Sequence, residues 1–337
     1  MTTKSEMVLV TGATGFLGNY IVSSYCKRNI HVKAFVRPTS NLSWLEPLVD
    51  AQKVTLAYGS MTDANSLYQA MQDVTHVVHS ASVIGPKISN ETYQKINVEG
   101  TQILLELAIA HRVQRFILIS SVSTYGIGIT PGGIVTEDTM QKPSNPYGQS
   151  KLAQQKLVFD AYHNHGLAVV SIEPPVIYGP RARVGVGQAI KIIKNRIAPL
   201  LDYGRGRINL VYVTDVVGLL EATDASGNAI GERFLAPGPR FVSHREVLDL
   251  LADNLNVKPI YVPIPLPLTV AGMTINNAIL KARKKDVFFP NTYMIKFTKG
   301  ADYRADKAKR LLGWKPKVDV REGIPKTVKW FLDNGFV

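Results

Sequence analysis

The chain carries a single cysteine, Cys26, in 337 residues. That excludes an intramolecular disulfide and a cysteine-ligated zinc cluster. It also fits a reducing compartment, so a cytoplasmic location is the expectation. Long apolar runs are lacking as well. The first, residues 7–10, stops at a glycine-rich turn and reads as neither a secretory signal nor a membrane span. The most apolar later stretch, residues 264–280, is broken by Pro265, Pro267, Thr269, Asn276 and Asn277. A transmembrane helix needs roughly 20 mainly apolar residues, so the expectation here is core or a groove cover, with no integral membrane segment. Acidic residues are few: 26 against 39 basic ones, a net charge of +13. Such an excess favours anionic partners. No nucleic-acid recognition module accompanies it, so nucleic acid is not an expected partner. The seven histidines show no metal-ligand spacing, and no metal site is expected.

What is present is an ordinary globular composition, 45% apolar and 19% charged, long enough for one large domain or two moderate ones. In the first half, short apolar runs alternate with amphipathic stretches. Strands are expected at residues 7–10, 31–36, 54–58, 75–79, 116–120 and 168–173, and helices at 16–28, 66–71, 101–110 and 147–163. This rhythm predicts parallel βαβ units, hence an α/β fold with a doubly wound parallel sheet. VLV, VVH and FILI are continuous apolar runs, as strands covered on both faces should be. After Pro180 the rhythm changes. Residues 181–207, rich in Gly, Arg and Lys, read as a loop in which Arg181, Arg183, Lys191 and Lys194 decorate a solvated helix, with a diphosphate clamp as the alternative. A strand-and-helix unit follows at 210–223, then a strand at 234–236 and a mixed region with prolines clustered at 259–267. The run at 281–285, KARKK, reads as a solvated helix end, with an anion or membrane role as the alternative.

Thr11-Gly12-Ala13-Thr14-Gly15-Phe16-Leu17-Gly18 follows the first strand and opens the first helix. Gly12 serves the tight turn, Gly15 the close approach of a pyrophosphate, and Gly18 helix–strand packing. The free N–H groups and dipole of the helix N-terminus suit the phosphates. An NAD site commonly has an acid about 20 residues on, bound to the ribose 2′-hydroxyl. Here Arg37 stands there, with Ser40 and Asn41 nearby. A guanidinium grips a 2′-phosphate, which favours NADP over NAD; stacking on adenine would serve either. Tyr147 and Lys151 lie four apart on one helical face, and an ammonium near a phenol lowers the phenol's pKa toward the working range. Ser120-Ser121 closes a strand at the sheet edge where α/β ligands bind.

Glycine loop, strand-end serine and Tyr-x-x-x-Lys in this order resemble the extended short-chain dehydrogenase/reductases. That family holds sugar-nucleotide epimerases, dehydratases, dihydroflavonol-type reductases and 3β-hydroxysteroid dehydrogenases. VRPTSN at 36–41 is most similar to the dihydroflavonol-reductase and hydroxysteroid-dehydrogenase-like branch. The resemblance implies a Rossmann domain over 1–180 plus about 211–238, and a smaller mixed α/β substrate domain from 181–210 and 239–337. It implies Ser121, Tyr147 and Lys151 as the catalytic set. For the cofactor it implies Gly12, Thr14, Gly15, Phe16, Leu17, Gly18, Arg37, Ser60, Met61, Ser80, Ala81, Ser82, Asn97, Ser120, Tyr147, Lys151, Pro174, Val176 and Ile177. Asn97-Val98-Glu99-Gly100-Thr101 resembles the family's helix-opening motif, and Tyr212–Val217 and Leu312–Pro316 match later landmarks. A homodimer is implied too, with Ile103, Leu104 and Leu107 suited to the interface or to ordinary core.

Three departures are informative. Ser60 stands where the family often has an adenine-contacting Asp. Val122 and Ser123 replace the acids of the dehydratases. Ile208, with Arg207 one residue off, stands where sugar-nucleotide enzymes place an Arg on the substrate diphosphate. The leading expectation is an NAD(P)-dependent oxidoreductase acting on a ketone or secondary alcohol of a small, rather hydrophobic substrate. The alternative is a nucleotide-sugar epimerase with tightly bound NAD. A redox sensor or scaffold on the same fold would tend to lose Tyr147 or Lys151, and both are present.

Overall fold

The computed structural model describes residues 6–85, 87–126, 133–283 and 300–336. Of the basic run at 281–285, Lys284 and Lys285 lie outside them. The chain divides into two compact units: Met1–Ser121 with Gln149–Glu173 and Val217–Phe234, and Val122–Gly148 with Pro174–Val216 and Leu235–Val337.

The first unit is built on β1 (Met7–Thr11), α1 (Phe16–Lys27), β2 (His31–Val36), α2 (Glu46–Asp50), β3 (Val54–Tyr58), α3 (Ala64–Ala70) and β4 (His76–His79). It continues with α4 (Asn90–Thr92), a π-helical stretch Tyr93–Glu99, α5 (Gly100–Ala110) and β5 (Arg115–Ile119). All but the first turn of α6 (Pro146–His165) and of α8 (Val213–Ala225) belong to it, with β7 (Val169–Glu173) and β11 (Glu232–Leu235). Seven strands form one sheet in the order β11-β7-β5-β4-β1-β2-β3. The pairings of β1 through β5 and of β5 with β7 are parallel. Strand order reverses between β1 and β4, the place where ligands bind in such sheets. The apolar runs are buried on both faces. Leu9, Val77, Phe116 and Val169 pack with Leu67 of α3, Leu104 and Leu105 of α5 and Val158 of α6. Val8, Val10, Val78, Ile117 and Val170, which alternate with them, are 0–1% exposed as well. Leu104 is fully buried, and Ile103 and Leu107 pack against the same cluster, so their spacing serves this chain's own core.

The second unit contains β6 (Ile134–Val135), β8 (Val176–Tyr178), α7 (Val186–Lys194), β9 (Ile197–Leu201), β10 (Arg207–Tyr212), β12 (Phe241–Ser243) and α9 (His244–Leu255). β13 (Ile260–Ile264), α10 (Leu266–Ala282), β14 (Asp302–Tyr303), α11 (Asp306–Leu312) and α12 (Val320–Asp333) complete it. Its sheets are small: β12-β10-β8, β13-β9 and β14-β6. Its core joins Tyr178, Ile190, Ile193, Leu210, Tyr212, Leu251, Ile324, Val328 and Phe331.

Two expectations are refined. Residues 181–207 combine loop with helix: Val186, Ile190 and Ile193 bury one face of α7 while Lys191 and Lys194 stay exposed on it, as a solvated helix places them, and β9 follows, its partner β13 lying far along the chain. Asn97–Thr101 runs from the π-helical stretch into α5 at Gly100, so it opens α5 but not the helical path as a whole. The helical path starts at Asn90, capped by the Ser89 hydroxyl, which accepts from the Thr92 N–H, and Asn97 lies within the π-helical stretch.

Candidate functional site

Most of the expected site residues in the first unit follow the carboxyl ends of its parallel strands. Gly12–Gly18 follow β1, Arg37 follows β2, Ser60 and Met61 follow β3, Ser80–Ser82 follow β4, and Ser120 and Ser121 follow β5. One sheet edge therefore gathers them across the reversal of strand order.

The glycine loop shows why it must be glycine. Gly12 has φ +71, and a Cβ there would sit 2.8 Å from the Ala81 nitrogen. A Cβ on Gly18 would come 2.1 Å from the Gly12 carbonyl oxygen. The Gly15 N–H donates to the Gly12 oxygen at 2.9 Å, and Gly15 caps α1 with its own side free of any Cβ. The loop is a backbone cradle opening on a helix N-terminus, the arrangement that holds phosphate.

Beneath it lies a buried polar network. Thr11 Oγ1 accepts from the Ala81 N–H at 3.2 Å and lies 2.7 Å from His79 Nδ1. His79 Nε2 lies 2.8 Å from Thr101 Oγ1, which donates to the Asn97 carbonyl at 2.5 Å and accepts from Gln154 Nε2 at 2.6 Å. Gln154 Nε2 also lies 3.2 Å from His79 Nε2, so both ring nitrogens face polar partners and either can carry the single proton. Burial first, and Lys151 second, hold His79 down at about 3, so the ring is neutral. It acts as a strand-end structural hub, not a base.

Asn97 anchors the neighbouring loop. Its Oδ1 accepts from the Val83 N–H at 2.8 Å, and its Nδ2 donates to the Val83 carbonyl and to Ser150 Oγ. Helix α6 carries Tyr147 in its first turn and Lys151 one turn later. Asn145 Oδ1 accepts from the Gly148 N–H at 2.7 Å and fixes the start of that helix. Lys151 is 1% exposed, and burial pulls its ammonium down to about 7. Among the described residues it forms no ion pair. Ser121 is 9% exposed, and Ser120 Oγ is buried with no hydrogen-bond partner among the described residues.

These features fit a nicotinamide dinucleotide: a cradle that excludes Cβ atoms, an unmet hydroxyl at a strand end, and a buried ammonium with no carboxylate. Arg37 is exposed, and its N–H donates to Ser40 Oγ at 3.2 Å. Ser60 Oγ pairs with Thr62 Oγ1 at 3.0 Å. Met61 departs from expectation. Its side chain is 8% exposed within the core of the first unit, leaving only its backbone for a cofactor contact. In the second unit Pro174 is buried, Val176 is 40% exposed and Ile177 is half-buried. Ile208, at the diphosphate-Arg position, packs against the core of that unit. Sequence reasoning missed Thr101 and Gln154. Gln154 lies seven residues after Tyr147 and three after Lys151, hence on their face of α6, which was the available signal.

One group of three potential metal ligands exists among the described residues: Glu6, His76 and Asp224. The Arg28 guanidinium sits 3.1 Å from the Asp224 carboxylate.

The sequence model described as the NAD dependent epimerase/dehydratase family matches residues 8–228. The chain belongs to this family. It is 26% identical over 334 residues to a UDP-glucose 4-epimerase of Vibrio cholerae, covering 97% of this chain and 96% of that protein. It is 28% identical over 352 residues to sterol demethylase protein B of Methylococcus capsulatus, covering 98% and 99%. Among solved structures, gox2253 superposes with a TM-score of 0.84 at 24% identity, over 98% of this chain and 99% of that one. The UDP-glucuronic acid 4-epimerase of Bacillus cereus, solved with UDP-glucuronic acid and NAD, gives 0.80 at 22% identity, over 97% and 99%. These structural likenesses confirm the fold of the epimerase/dehydratase family. No helix among the described residues is long and apolar enough to cross a membrane.

Proposed function

We propose that the chain is an NAD(P)-dependent enzyme that removes hydride from a secondary carbinol carbon and returns it, with a nucleotide sugar as substrate and epimerisation as outcome. The observation that carries the hydride chemistry is Lys151: a buried ammonium without a carboxylate partner, one helical turn from a half-buried tyrosine. The likeness to epimerases over nearly the whole of this chain supports the sugar-nucleotide outcome and favours it over the ketone reductase expected first from the sequence.

When bound, the dinucleotide supplies hydride acceptance and donation. The chain's own residues do the rest. The Gly12–Gly18 cradle holds the pyrophosphate. Lys151 holds the ribose hydroxyls and lowers the Tyr147 phenol toward ionisation, because a nearby positive charge favours the phenolate. Tyr147 takes the proton from the carbinol oxygen and gives it back; Ser121 donates a hydrogen bond to that oxygen while it carries charge. Arg37, beyond β2, would grip a 2′-phosphate, and that chemistry favours NADP over NAD.

A second reading has its own observation. Ile208 packs into an apolar core where a diphosphate-binding Arg is expected, and this favours a reductase of an apolar ketone. Purified protein incubated with UDP-glucose, UDP-glucuronic acid or steroid and aryl ketones separates the two. Epimerisation gives a 4-epimer by NMR with no net change in NAD(P)H absorbance; reduction consumes NADPH in proportion to product. Near-wild-type turnover in Tyr147→Phe refutes both readings.

A further inference from the structure

Helix α10 shows solvent a face that globular proteins normally hide. Leu268, Ala271, Gly272, Ile275, Ala278, Ile279 and Ala282 are all exposed. Leu268 is 65%, Ile275 62% and Ile279 46% exposed. At 3.6 residues per turn these positions fall within one third of the helix circumference, and no polar residue interrupts the arc. The opposite side is the packed one: Asn277 is 5% exposed, and Leu266, Val270, Met273 and Leu280 are half-buried. The helix is therefore covered along one side and presents a second apolar side outward. A contiguous apolar stripe of this kind marks an interaction surface.

Charge identifies what the stripe faces. From Asn254 to Lys285 the sequence contains no acidic residue, and it contains Lys258, Lys281, Arg283, Lys284 and Lys285. Lys281 and Arg283 are exposed at the C-terminal end of α10. The whole chain carries +13. A protein partner for an apolar stripe would not require this local exclusion of carboxylates, whereas an anionic lipid surface repels them and attracts the basic end. With 17 residues, α10 is about 25 Å long, too short and too one-sided to span a bilayer but suited to lie in its interface.

We propose that α10 docks this protein on anionic membrane surfaces. Leu268, Ile275 and Ile279 enter the headgroup–acyl boundary while Lys281 and Arg283 engage lipid phosphates. Each basic residue near such a surface contributes roughly a fivefold gain in partition at moderate salt, and the gain fades as salt is raised.

The test is co-sedimentation of the full chain with phosphatidylcholine vesicles, with and without phosphatidylserine. The expected result is binding that needs phosphatidylserine, weakens with salt, drops at least about tenfold in Leu268→Ser/Ile275→Ser/Ile279→Ser and about twenty-five-fold at moderate salt in Lys281→Gln/Arg283→Gln. Should the triple variant lose its fold, as read by circular dichroism, a label on Ile275→Cys takes its place. Cys26 is the only native cysteine and is buried, so a polarity-sensitive fluorophore reports position 275 alone. Its emission is expected to shift blue on phosphatidylserine vesicles only. The proposal is overturned by absence of lipid-dependent sedimentation, by equal binding of a folded triple variant, or by an unshifted label. It is also overturned if sedimentation equilibrium finds a dimer that the triple variant dissociates and vesicles do not bind, because the stripe then belongs to a second copy of the chain.

Discussion

Acid stability should turn on His79. The imidazole is fully buried, and burial together with the Lys151 charge lowers its pKa from 6.5 to about 3. The unfolded chain therefore binds a proton near pH 6.5 that the folded chain refuses until about pH 3. A depressed base of this kind leaves stability intact above the unfolded value and removes it as the pH falls toward the folded one. At 1.36 kcal/mol per unit, the cost between neutrality and about pH 4 is about 3 kcal/mol, an upper figure because partial opening would relieve it. The structural consequence is specific. Protonation puts N–H on both ring nitrogens: Nδ1 must then donate to Thr11 Oγ1 at 2.7 Å, and the Nε2 proton meets the Gln154 amide nitrogen at 3.2 Å. Thr11 would then have to accept from both His79 and Ala81. Thr11 immediately precedes Gly12, so the disturbance falls on the glycine cradle. Two measurements check this. The His79 Cε1–H resonance should show no titration between neutrality and about pH 5, where exposed histidines titrate. Urea unfolding followed from neutrality to about pH 4 should show wild type losing about 3 kcal/mol more than His79→Gln. Equal pH slopes for the two proteins, or an imidazole that titrates near 6.5, would refute the reasoning.

Three further outcomes are expected. Gly18→Ala, whose Cβ would lie 2.1 Å from the Gly12 carbonyl, should cost about 1–3 kcal/mol in chemical denaturation and abolish thermal stabilisation by NAD(P). Lys151→Met should raise the thermal midpoint of the cofactor-free protein by the equivalent of about 1 kcal/mol or more near neutrality, because an unpaired buried charge is removed; the native ammonium is lowered to about 7, so the advantage should shrink as the pH rises from 7 toward the free lysine value, and scanning calorimetry across that range reads it. Arg37→Ala should cut the ratio of NADP to NAD affinity by about tenfold or more, the worth of a charge-assisted hydrogen bond, as read by isothermal titration; an unchanged ratio retires the 2′-phosphate role.

What was legible in the sequence was whatever local pattern alone decides. VLV, FILI and their neighbours read as strands covered on both sides because burial on both faces erases alternation, and the sheet has that form. The glycine loop could be read because Gly12 and Gly18 answer backbone demands that no side chain can meet. Pairings that depend on distant chain were not legible: β9 with β13, and β6 with β14, are made by segments too short and too separated for any periodicity to connect them. The π-helical stretch Tyr93–Glu99 escaped for a different reason. Its residues suit an α-helix, and the wider turn is set by tertiary demands, with Asn97 reaching back to both backbone groups of Val83.

The candidate site divides along the same line. Residue types and spacing pointed to Tyr147, Lys151 and Ser121 as candidates, yet they could not reveal the layer beneath. Thr101, His79 and Gln154 are individually unremarkable, and only the fold brings residues from β4, α5 and α6 together. That layer bears on the chemistry. Were His79 protonated, a second positive charge would sit beside a Lys151 that burial already discharges near neutrality. A neutral His79 fills a polar cavity without adding charge. A neutral histidine under a buried lysine is thus a requirement of the proton-transfer reading, and its neutrality follows from burial first and the Lys151 charge second.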